Sequence, residues 1–175
     1  MKLCIFFSAL LLVYSCSEER KSDLPSSDGL PDQESWGVTI IMTHEGLIRA
    51  KVNSGHLKKF NEKEYIILDE NVVVDFFDAQ ENHTSTLFSD KSEINEKSND
   101  MLAIGNVIAK SDSGITLFTE TLQWIAEDEK LFTKDSIMIT TLDKDTLFGK
   151  GFESNADLEN WRILNPSGVT GSEIY

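Results

Sequence analysis

From Trp36 onward, the chain alternates short runs rich in Val, Ile, Thr and Phe with stretches carrying Gly, Asn, Asp and Ser. Successive side chains of an extended chain face opposite sides of a sheet, so such runs read as strands. They cover residues 37–43, 47–52, 65–68, 72–77, 84–89, 101–109, 115–124, 137–142 and 146–152. Asp112-Ser113-Gly114 and residues 78–82 have the composition of hairpin connections. No long stretch holds a helical period, and residues 155–162 suit a helical turn or a last strand equally. The pattern predicts one all-β antiparallel domain over residues 36–165, with 166–175 as a flexible tail.

A repeat lies within this pattern. Thr86-Leu87-Phe88, Thr116-Leu117-Phe118 and Thr146-Leu147-Phe148 recur every 30 residues. Each is followed by a small and then a charged residue: Ser89-Asp90, Thr119-Glu120 and Gly149-Lys150. A fixed period of this length predicts a repeated β-unit that buries its apolar face against its neighbours.

The first residues follow different rules. Lys2 precedes an apolar run over residues 3–14. That run is shorter than the roughly 20 apolar residues a membrane-spanning helix needs, and it matches the core of a signal peptide. Val13-Tyr14-Ser15-Cys16 then resembles a bacterial lipobox, with Tyr14 larger than the usual residue there. The expectation is a signal peptide over residues 1–15, acylation at Cys16 and a polar tether over residues 16–35. Cys16 and Cys4 are the only cysteines, so the body has no thiol to offer a disulfide or a metal.

Charge narrows the function classes. The net charge is -14, and Lys58-Lys59 is the only basic pair of the body, so no nucleic acid is expected as partner. His44, His56 and His83 share no ligand spacing, and no serine sits in a nucleophile-elbow context. Glu127-Asp128-Glu129 reads as a solvated loop. The chain is expected to have no catalytic residues, metal or other cofactor. A sheet can still hold a ligand if apolar side chains share one face. Phe88, Ile104, Leu117, Leu122, Trp124, Ile137, Ile139 and Phe152 are candidates for that lining, or for an ordinary core. Apolar residues occur at both parities, as in Leu117 beside Phe118, so the inward face stays open at this point. Gly149 and Gly151, in a late strand, are candidates for shaping a docking edge.

Gly105-Asn106-Val107, Thr119 to Trp124 (TETLQW), Thr133 and Gly149-Lys150-Gly151-Phe152-Glu153 together resemble the LptC family, in order, between residues 36 and 164. The family is the membrane-anchored periplasmic component of the lipopolysaccharide export machinery. The resemblance implies a folded-over sheet, a β-taco or β-jellyroll, with an apolar cleft for acyl chains of lipopolysaccharide. It implies subunits of an inner-membrane ABC transporter and an LptA-like periplasmic bridge protein as partners. Many members carry an uncleaved transmembrane helix, whereas this chain carries a lipobox. A periplasmic, lipid-anchored protein follows, with the inner membrane favoured over the outer. The competing reading is an envelope lipoprotein that scaffolds other proteins through a closed core and takes no lipid. A lipocalin-like barrel fits less well, because lipocalins show no such repeat.

Overall fold

A computed structural model describes residues 29–167; the expected signal peptide, Cys16, most of the tether and the last residues of the expected tail lie outside them. The chain forms nine strands: β1 (Gln33–His44), β2 (Leu47–Phe60), β3 (Tyr65–Phe77), β4 (His83–Asn95), β5 (Met101–Ser111), β6 (Thr116–Ile125), β7 (Lys130–Thr140), β8 (Thr146–Asn155) and β9 (Arg162–Ser167). Each pairs antiparallel with the next, giving one sheet in the order β1 to β9. The all-β expectation holds. Residues 155–162 lead into β9 instead of forming a helix, and β1 starts at Gln33, inside the expected tether.

Short turns make the meander possible. Between β1 and β2 only Glu45 and Gly46 intervene, both at positive φ (52° and 83°). That is the backbone a two-residue hairpin with the native strand twist requires, and glycine adopts it without strain.

The pairing is interrupted once near the middle of almost every strand. Register shifts fall between Asn53 and His56, Asp69 and Val72, Phe88 and Lys91, Ile104 and Val107, Thr119 and Gln123, and Thr133 and Ser136. Joined together, they trace a crease across the sheet. Bulges bend a strand and raise its local twist. In β3 and β5 the crease holds paired residues at positive φ, Glu70-Asn71 and Gly105-Asn106. Side chains add hydrogen bonds of their own there. Ser54 Oγ donates to the Asp69 carbonyl (2.5 Å), Asn106 Nδ2 to Asp90 Oδ2 (2.7 Å) and Thr121 Oγ1 to Asp135 Oδ2 (2.6 Å). The Ser54 bond meets a backbone carbonyl beside the interrupted ladder, and the other two tie side chains of neighbouring strands together.

The sheet folds over along this crease. Arg49 at the start of β2 lies 2.7 Å from Glu129 in the β6–β7 turn. In a flat sheet these strands would stand about 19 Å apart, at about 4.8 Å per strand, and the residues would sit at opposite strand ends. Only a bend brings them together. Phe76 of β3 also meets Trp124 of β6, edge to face at 5.4 Å. Ser85 of β4 donates to the carbonyl of Ala156 in the β8–β9 loop, 2.5 Å away. Two rims therefore close on each other: one made by the β1–β2, β3–β4, β5–β6 and β7–β8 turns, the other by the remaining turns.

Gly105 sits at φ +80° in the crease, and a Cβ there would come within 2.7 Å of Asp90 Oδ2. Gly105→Val is expected to cost about 2 kcal/mol through backbone strain and this clash. A lowered urea midpoint would register the loss; an unchanged midpoint contradicts the crease as a structural constraint.

Candidate functional site

The inner face is organised in rows that run across the strands. Ile40, Val52, Val74, Leu87, Ala109, Leu117, Ile139 and Leu147 are successive register partners from β1 to β8. Eight strands at about 4.8 Å spacing make this apolar row about 34 Å long. From Val52 to Ile139 its members are essentially fully buried. Beyond the crease a second row joins Ile66, Ile94, Met101, Trp124, Leu131 and Ser154. Between this row and the crease, Leu57, Leu68, Ser92, Ala103 and Leu122 form a third, with Thr133 and Phe152 paired further along. Small members such as Ala103, Ala109 and Ser92 leave the two halves room to approach.

The 30-residue repeat acquires a physical meaning here. Each copy opens the second strand of a hairpin: Leu87, Leu117 and Leu147 enter the inner row. Phe88, Phe118 and Phe148 stand on the outer face, in a row of register partners with Val73, Ile108 and Met138. The small and charged residues that follow begin the crease in β4, β6 and β8.

Six of the eight candidate lining residues face inward. Leu117, Leu122, Trp124, Ile137, Ile139 and Phe152 are all buried in the core. Phe88 is 38% exposed on the outer face, and Ile104 follows the buried Ala103 in β5 and is only partly buried. Those two lie outside the interior, because the strand's two-residue period turns them away from their buried neighbours. The expected apolar cleft is not seen among the described residues: these inward side chains form the buried core, and contacts join the rims. Gly149 and Gly151 do not lie on a free edge either. β9 covers β8, and a Cβ on Gly149 would meet Ile163 Cγ2. They let the last strand approach closely, and the outer edge passes to β9.

The rim contact centres on a charge that the sequence pattern does not single out. Arg49 is 9% exposed; its Nη1 donates to the Asp78 carbonyl at 2.6 Å, and its Nε faces Glu129 Oε1. Glu129 lies in the turn expected to be solvated, with Glu127 and Asp128 exposed beside it, and the fold-over also makes it Arg49's partner. Hydrogen bonds from Asn82, first from its side chain and then its backbone, and from the Gln80 backbone hold the Asp78 carboxyl below its ordinary value of 3.8. A depressed folded value means that the turn gains stability above the ordinary pKa and loses it as pH falls through the lower one. The turn that offers its carbonyl to Arg49 therefore persists at neutral and mildly acidic pH.

Folding also gathers His56, Asp69 and Glu70 at the crease, with ligand atoms within 4.8 Å of one another. Their spacing conceals this, since β2 and β3 bring them together. Asp69 is already engaged: His56 Nδ1 lies at 2.9 Å and Lys58 Nζ at 3.4 Å. The lysine supplies the positive charge that a cation would bring, and Trp36 stacks over the imidazole at 5.1 Å.

Residues 2–171 match the family model described as "Lipopolysaccharide-assembly, LptC-related". The fold is similar to the crystal structure of LptH from Pseudomonas aeruginosa, described as the LptA-homologous periplasmic component of a conserved lipopolysaccharide transport device. That likeness has a TM-score of 0.52 at 11% identity and covers 71% of this chain and 86% of the other. At such identity it speaks for the fold. A search of curated proteins returned no match.

Arg49→Met keeps the side chain's length and removes its charge. Glu129 is half-exposed and can be rehydrated, so the expected cost is about 1–2 kcal/mol. Amide hydrogen exchange should accelerate in the 78–82 and 126–129 turns on both rims at once. Faster exchange in only one turn contradicts a contact that joins them.

Proposed function

Since the chain belongs to the LptC-related family of lipopolysaccharide-assembly proteins, we propose that it shields acyl chains of lipopolysaccharide between its two half-sheets and passes them on. The family's role is transport, without catalysis. The observation that carries the finer reading is the buried apolar row from Val52 to Ile139, which crosses every intervening strand without a charge. An acyl chain entering it gains about 0.8 kcal/mol for each methylene removed from water. The row runs along the fold's length, so a chain can advance from one strand to the next while meeting similar surface throughout.

In this reading the rims part to admit lipid, and lipid replaces the contacts the two half-sheets make with each other. Few cations cluster on the surface, so the handle is the tail and not the phosphorylated headgroup. Salt should matter little to binding, and shorter acyl chains should weaken it greatly. Subunits of the inner-membrane ABC transporter and an LptA-like bridge would dock at opposite sheet edges. The outer sides of β1 and β9 offer unpaired backbone there, among the described residues, for strand addition. Acylated Cys16 would hold the chain on the periplasmic side of the inner membrane, with the polar tether giving reach.

The closed interior favours one competing reading, an envelope scaffold that takes no lipid. A photo-crosslinking amino acid at Leu117 or Ile139 separates the two. Lipopolysaccharide adducts are expected from these inner positions and not from Phe88 on the outer face. No inner adduct, or equal labelling at Phe88, supports the scaffold. The anchor is tested separately: Cys16→Ser should abolish labelling by radioactive palmitate, and persistent labelling refutes acylation there.

A further inference from the structure

The outer face of the sheet carries an apolar row of its own. Val73, Phe88, Ile108, Phe118, Met138 and Phe148 are successive register partners from β3 to β8. None is fully buried: Phe148 is 50% and Phe88 38% exposed, and the other four are half-buried. Beside Ile108, Phe118, Met138 and Phe148 the surface dips into a groove of about 440 Å³. Contiguous apolar surface of this kind marks a place that something covers. The row is about 24 Å long and one two-residue repeat, about 7 Å, wide, which gives on the order of 200 Å². A standard protein–protein interface needs roughly 800 Å² on each partner. A single extended segment matches the row better than a second globular surface does.

The chain itself supplies such a segment where the row ends. Ser167, the last residue of β9, is the register partner of Phe148. Residues 168–175 (GVTGSEIY) follow, and Gly168 lacks the Cβ that resists a sharp turn. Side chains two apart in an extended segment share a face, which groups Val169, Gly171, Glu173 and Tyr175. Extended chain from Ser167 to Glu173 reaches about 20 Å, and the strand spacings from β9 to β5 add up to about 19 Å. In β5 stands Lys110, exposed, with its Nζ 5.6 Å from the centre of the Phe88 ring. Lys110 belongs to no ion pair among the described residues.

We propose that residues 168–175 turn at Gly168 and lie across the outer row as an extended strap. Val169 packs against Phe148 and Met138, Gly171 passes over Phe118, Glu173 pairs with Lys110, and Tyr175 packs against Phe88. The strap crosses from β8 to β4 and takes the outer apolar row out of water. It stands apart from the acyl-shielding reading, since strap and acyl chains would occupy opposite faces of the sheet.

The test places p-benzoylphenylalanine at Phe118 or, in a second variant, at Met138 of the full chain, which is then irradiated in cells. The expected product has the mass of one chain and joins the labelled position to residues 168–175, read by mass spectrometry of the digest. Glu173→Lys should lower its yield about two- to fivefold, the worth of a surface ion pair. Adding Lys110→Glu to that variant should restore it. Adducts with a second copy, another protein or a lipid in place of residues 168–175 overturn the proposal, as does no adduct from either position. A yield indifferent to both charge changes overturns the Lys110 contact and with it the register of the strap.

Discussion

The fold depends on one constraint: the hydrogen-bonded ladder is broken at the same level in successive strands. A continuous nine-stranded meander would be a wide twisted sheet with two wet faces. Interrupting each strand near its middle gives the sheet a hinge line, and side chains such as Ser54, Asn106 and Thr121 hydrogen-bond between neighbouring strands along it. Bending along that line brings two apolar half-faces together. The core exists because the strands are imperfect.

The same constraint explains what could be read from the residues. Strand character was legible in most places, because alternation survives on each side of the crease. The crease itself was not. Asp69-Glu70-Asn71 carries turn residues, so β3 reads as two strands, 65–68 and 72–77, although the chain runs through. In β2, β4 and β7 the crease likewise hides how far each strand extends, since the runs 47–52, 84–89 and 137–142 stop or start there, whereas the runs 101–109 and 115–124 cross it. The inward face was hidden for a related reason. In β4 the buried positions are Ser85, Leu87 and Ser89, then Ser92 and Ile94, so their parity changes at the bulge. In β5 two crease residues intervene, and Met101, Ala103, Val107 and Ala109 keep one parity. Anyone assuming a single inward parity fails on alternate strands. Leu117 and Leu122 in β6 show it again.

The rim was the least legible part. Arg49 and Glu129 are separated by 80 positions and lie near a hairpin end and in a turn, where charged residues are ordinary. Nothing in their local context marks them as partners; the fold-over alone makes them so. Phe88 failed as a lining residue through the two-residue period, whereas its neighbour Leu87 lies in the row. The repeated Thr-Leu-Phe unit therefore encodes both faces at once: leucine for the interior, phenylalanine for the exterior. Gly149 and Gly151 were legible as sites of close approach, but the approaching backbone is the chain's own β9.

The proposed passage of acyl chains through such an interior requires movement, since among the described residues packed side chains leave no lengthwise opening. Paired spin labels at Glu81 and Asp128, one on each rim, measure that movement directly. On adding lipopolysaccharide, the distance between the labels should lengthen and return when the lipid is withdrawn. Demonstrated lipopolysaccharide binding with an unchanged rim-to-rim distance would contradict the account, because the acyl chains would then be held somewhere other than between the half-sheets.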